Sequence, residues 1–161
     1  MLSLVEKVLI LKSAPIFGAT PDNVLAEVAD LVEEVSFAAD QTIFNKGEPG
    51  DSLYIIVSGS VKVWDGARLL NELGEGEAFG ELALLDPEPR LATVRAAEPT
   101  SLLRLDAPHF REVLELQPEI SAAIIRVVTR YLRSQLEYAR EASARLRALE
   151  SFSPVGKPDV R

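Results

Sequence analysis

Glu81 and Arg90 are the two residues of this chain whose types and spacing most directly suggest chemistry. They stand nine residues apart in the stretch FGELALLDPEPRLATV, residues 79–94. Glycines at 74, 76 and 80 let the backbone turn tightly before and at this stretch. Glu81-Leu82-Ala83-Leu84 reads as one helix-favouring turn, whose first N–H groups have no partner within the helix. Such groups, with the aligned peptide dipoles, attract anions. Pro87 and Pro89 stop the turn and fix the approach to Arg90. Arg90 brings a guanidinium fork suited to two phosphate oxygens. Glu81 would repel a phosphate, but it can accept a hydrogen bond from a sugar hydroxyl. One carboxylate for a hydroxyl, and one arginine with N–H groups for a phosphate, describe a site for a ribose phosphate.

The elements around this stretch must hold it in place. Residues 2–12 carry apolar positions at Leu4, Val8 and Leu11, a weak helix signal that Pro15 ends. Thr20-Pro21-Asp22 reads as an N-cap followed by proline at the first helical position, with Val24, Leu25, Val28, Leu31 and Val32 on one face. Residues 35–105 change to short strand-like runs: EVSFAA, QTIFNKG, SLYIIVSG, SVKVWDG, RLLNELG, ATVRAAE and TSLLRLD. Asp65-Gly66 marks a tight hairpin between two of them. Strands at this spacing suggest a small barrel or jelly roll. From Asp106, which reads as a cap, a short helix carries Phe110, Val113 and Leu114. Pro118 starts a longer helix that runs to about Leu149. The expected organisation is a helical segment 1–34, a β-barrel 35–105, C-terminal helices 106–150 and a loose tail 151–161.

Composition narrows the functional classes. The 161 residues suit one compact domain with an added helix, and 47% hydrophobic residues suffice for a core. A net charge of −8 repels phosphate backbones and argues against nucleic-acid binding, so an anionic ligand needs a local positive site. Cysteine is absent, which excludes disulfides and thiolate metal sites and fits a reducing, cytoplasmic compartment. The single histidine, His109, cannot build a multi-histidine metal site and reads as a surface or capping residue. No catalytic constellation appears, so neither enzymatic activity nor a cofactor or metal is expected. The longest N-terminal apolar run, Val8 to Leu11, is too short for a secretory or membrane-spanning segment, and no membrane insertion is expected.

The stretch 79–94 resembles the phosphate-binding cassette of cyclic nucleotide-binding domains, F-G-E-(L/I/V)-A-L, a linker, then P-R-x-A-(T/S)-V. GEPGDSLYIIVSGSVKV (residues 47–63) is similar to the family's upstream segment, and TSLLRLDAPHFREVL (residues 100–114) to its final strand and following helix. The resemblance covers roughly residues 15–135 and implies a mainly β fold, a β-roll or jelly-roll double-stranded β-helix barrel with flanking helices. It implies that Glu81 accepts from a ribose 2′-hydroxyl and that Arg90 binds the cyclic phosphate. Backbone N–H groups near Leu82, Ala83 and Ala92 would assist, Gly80 would allow close approach, and Phe79 opens the cassette. Gly50, Asp51 and Gly59 match positions that hold the barrel loops. Leu91 departs from the pattern, since relatives commonly carry Ala, Thr or Ser there. A hydroxyl at that position goes with cyclic GMP, so Leu91 points to cyclic AMP, and its bulk is set to crowd the site. Tyr131 on the long helix is either a stacking cap for the base or a core residue.

Two functions compete. In the first, a cyclic nucleotide orders the cassette and shifts the helices from residue 106 onward, so the chain is a sensor module for an effector domain. In the second, the cassette has lost its ligand, Glu81 and Arg90 form a structural salt bridge, and the domain is an interaction scaffold. No recognition-type helix pair follows residue 150, so a complete helix-turn-helix regulator is not expected. From Val128, small or apolar residues recur at Leu132, Leu136, Ala139, Ser143, Leu146 and Leu149, a narrow stripe that predicts a homodimer through the long helix. The competing arrangement is a monomer whose helix folds back over its own barrel.

Overall fold

The computed structural model describes residues 1–151, apart from the side chains of Leu82, Leu85, Ala123, Val127 and Tyr131. The base-capping role expected of Tyr131 and the tail beyond Ser151 lie outside the described residues. The chain forms two units, Met1–Ala123 and Ile124–Arg161.

In the first unit α1 (Leu4–Ser13) starts at a capping box, where Ser3 and Glu6 each satisfy the other's backbone N–H. A 3₁₀ turn (Pro15–Phe17) leads to α2 (Asp22–Ala29). The expected Thr20 cap does not form. Pro21, extended at ψ 148°, is itself the N-cap residue, so α2 begins one residue later than expected and receives no side-chain cap. The Thr20 hydroxyl is buried without a hydrogen-bond partner among the described residues. It lines a cavity of about 20 Å³ with Val24, Gln117 and Ile120, room for one water molecule.

Eight strands follow: β1 (Glu33–Phe37), β2 (Thr42–Phe44), β3 (Ser52–Ser58), β4 (Val61–Asp65), β5 (Arg68–Leu73), β6 (Ala78–Phe79), β7 (Thr93–Ala96) and β8 (Thr100–Asp106). They make two antiparallel sheets ordered β1-β8-β3-β6 and β2-β7-β4-β5. Asp65 pairs with Arg68 across the two-residue loop Gly66–Ala67, the hairpin expected from Asp-Gly. Tyr54, Ile56, Phe79 and Leu102 of one sheet meet Val61 and Val94 of the other, with Phe44 and Val63 packed against them. The architecture is a jelly roll, as expected, although its two sheets do not close into a continuous barrel.

The other face of the central strands, Leu53, Ile55, Leu103 and Leu105, is also fully buried. That double burial explains why β3 reads as a continuous apolar run rather than an alternating one. Helix α4 (Ala107–Leu116) starts at Asp106, whose carboxylate accepts from the His109 N–H at 3.0 Å. The Asp51 carbonyl accepts from the Ala107 N–H at 2.7 Å and ties the β2–β3 loop to the start of this helix. Helix α5 runs from Glu119 to Ser151. In the second unit Leu132, Leu136, Leu146 and Leu149 along it are exposed. Among the described residues no helix is long and apolar enough to cross a membrane.

Candidate functional site

The cassette begins at β6 and turns at Gly80, which has φ +81°. A Cβ there would lie 2.8 Å from the Ser52 carbonyl oxygen and 2.7 Å from Arg90 Nη1, so only glycine fits without strain. The short helix α3 (Leu82–Leu85) follows and lies beside β3 and α4. The Ala83 N–H donates to the Gly80 carbonyl and the Leu84 N–H to the Glu81 carbonyl, both at 3.2 Å. The Ala83 N–H, expected to assist an anion, is therefore engaged within the turn in this structure.

Arg90 is fixed by backbone first. Its N–H donates to the Glu48 carbonyl and its carbonyl accepts from the Gly47 N–H, each at 2.8 Å. A bridge between Pro49 and Pro89 extends this clamp. The side chain then runs inward and is 8% exposed. The structure buries it because the loop 45–51 closes over it, with Gly50 leaving the room that any Cβ would take from Arg90 Nε. Arg90 Nη2 donates to the Ser52 carbonyl at 3.0 Å. The guanidinium carbon sits 4.1 Å from the centroid of the Phe44 ring, a cation–π contact. Phe44 packs on Tyr54 and Phe79, which stack on each other at 5.2 Å, so an aromatic platform carries the charge.

Burial lowers the pKa of Arg90, with Tyr54 and Asp51 pulling the other way, and the group stays charged at neutral pH. Among the described residues no carboxylate lies within 4.0 Å of it. The salt bridge to Glu81 posited by the scaffold reading is thus not formed. Glu81 is half-buried, and burial raises its pKa, offset in part by its own backbone N–H. Leu91 is 74% exposed. Among the described residues no cluster of His, Cys, Asp or Glu could hold a metal ion.

Residues 34–117 match the family described as the cyclic nucleotide-binding domain. The chain belongs to the cyclic nucleotide-binding domain family. A relative described as a CRP-like cAMP-activated global transcriptional regulator from Mycobacterium tuberculosis is 36% identical over 129 residues, 77% of this chain and 58% of its own length. The N-terminal domain of a transcriptional regulator from Streptomyces coelicolor superposes with a TM-score of 0.72 at 36% identity, covering 81% of this chain and 94% of that one. The regulatory domain of Toxoplasma gondii PKA, solved with cAMP, gives 0.64 at 31% identity, over 68% of this chain and 44% of that one.

Within this cyclic nucleotide-binding domain the structure brings Phe79, Gly80 and Arg90 together. The Phe44 platform and the Ser52 carbonyl were not singled out from the sequence, and Gly50, expected to hold a barrel loop, also makes room for the Arg90 side chain. The glycines of GEPGD, just before the apolar run of β3, were the available signal, since a glycine there permits a close approach of two segments.

Proposed function

We propose that this domain is a regulatory sensor that binds a cyclic nucleotide, cyclic AMP in preference to cyclic GMP. The observation that carries the reading is Arg90, a buried cation with no carboxylate within 4.0 Å among the described residues. A buried charge without a counter-charge is costly, and an anion that reaches it recovers that cost. The cyclic phosphate supplies such an anion, and the guanidinium fork binds it. Glu81 accepts from the ribose 2′-hydroxyl. Leu91 offers no hydroxyl to a guanine, which favours cyclic AMP. The names of the M. tuberculosis regulator and the T. gondii domain, which mention cAMP, support the same choice.

Signalling follows the packing. The α3 turn lies beside α4, which leads into α5, so ordering of the cassette by phosphate biases these helices. The exposed leucines of α5 pair with those of a second copy, and the domain reports to an effector segment or partner protein in the cytoplasm. Calorimetric titration with both nucleotides tests the binding claim. Saturable binding of cyclic AMP at one site per chain, tighter than cyclic GMP, is expected. Tighter cyclic GMP binding would overturn the preference, and silence from both would favour a ligand-free scaffold.

A further inference from the structure

Two carboxylates, Asp51 and Glu48, lie close enough to bear on the charge of Arg90, yet neither pairs with it. Each is held elsewhere. Glu48 Oε1 accepts from Asn45 Nδ2 at 2.7 Å. Asp51 Oδ1 accepts from the Ser52 hydroxyl at 2.9 Å and faces Arg104 Nη2 at 3.8 Å. Arg104 stands on β8 directly opposite Tyr54, and so on the same face of the sheet as the aromatic platform beneath Arg90. Its Nη1 reaches Glu33 at 3.5 Å. Burial draws the pKa of Arg104 down, but Tyr54, Asp51 and Glu33 outweigh it and leave it raised.

We infer that Arg104 is a positioning residue for the anion site, holding Asp51 away from Arg90 so that the Arg90 fork has no internal counter-ion. The inference rests on Arg90 being the phosphate-binding group. An Arg90 paired with Asp51 would have to give up that pair before taking an anion, and affinity would fall by the strength of the pair. The Asp51–Arg104 pair itself contributes little to stability, since both groups are partly exposed, 55% and 33% by side chain. Its effect lies in where it leaves the Asp51 charge.

A double-mutant cycle separates this from a general field effect. Arg104→Gln is expected to weaken cyclic AMP binding about fivefold, the upper reach of a partly exposed pair. Asp51→Asn is expected to restore that loss in the Arg104→Gln background while changing affinity much less in the parent. Equal effects of Asp51→Asn in both backgrounds would mean simple long-range electrostatics and would overturn the inference. A second arm needs no nucleotide. The ¹⁵N resonance of Arg90 Nε–Hε, assigned by its loss in Arg90→Lys, is expected to shift and exchange more slowly with water in Arg104→Gln, and to revert in the double variant. An unmoved resonance overturns the inference. If the parent binds neither cyclic nucleotide, the proposed function fails and the resonance alone decides the role of Arg104.

Discussion

The Glu81 carboxyl is half-buried beside the Gly80 turn, and that burial raises its pKa above the ordinary 4.5. Between the ordinary and the raised value the folded chain holds a proton that the unfolded chain has released. Stability therefore falls as pH rises through that window, and the full cost is present above it. Glu81→Gln removes the cost. The variant is expected to melt above the parent at neutral pH, with the difference vanishing below pH of about 4. The same change replaces a charged acceptor by a neutral one and should weaken cyclic AMP binding about tenfold. Thermal scans across pH and a calorimetric titration check both, and a Gln variant that melts below the parent at neutral pH contradicts the account. The roles of Glu81 and Arg90 were legible because the cassette is local, nine residues from carboxylate to guanidinium. The burial of Arg90 was not, since its Ser52 partner lies 38 residues away in sequence and meets it only through folding of the loop 45–51 over the cassette.

At the scale of elements, the turn between β6 and α3 is the joint on which the site depends. Gly80→Ala would hold a Cβ at φ +81° against the Ser52 carbonyl, a backbone atom fixed within β3, and would also press on Arg90 Nη1. A loss of about 1–3 kcal/mol of stability is expected, together with at least about tenfold weaker nucleotide binding as Arg90 is displaced. Urea unfolding and a titration measure the two effects. An Ala variant as stable as the parent would mean that the turn is not as described. Seven of the eight strands were legible as β-type runs between turn residues, and only β6 escaped. Two residues, Ala78 and Phe79, are too few to show a period, and β6 exists because Tyr54 and Ile55 pair with it. The start of α2 misled for a related reason. Thr-Pro-Asp has the composition of a capped start, but tertiary packing buries Thr20 and moves the first helical residue to Asp22.

The whole molecule carries a net charge of −8, so an anionic ligand is drawn only by a local site such as the one Arg90 forms. The exposed Leu132, Leu136, Leu146 and Leu149 on α5 predict self-association. Sedimentation at tens of micromolar is expected to show a dimer, and Leu136→Glu with Leu146→Glu is expected to show a monomer. A monomeric parent, or an unchanged dimer in the variant, would end that part of the account. Under the proposed function, Arg90 makes this domain a receptor for cyclic AMP. The most direct test of this is thermal unfolding of the parent and of Arg90→Ala, each with and without cyclic AMP. At ~100 times the dissociation constant the parent should gain about 2.7 kcal/mol of stability and melt several degrees higher. Arg90→Ala should remain folded and show no shift, because loss of the charge-assisted bonds removes about 2–4 kcal/mol of binding. No shift in the parent, or the same shift in Arg90→Ala, would contradict it.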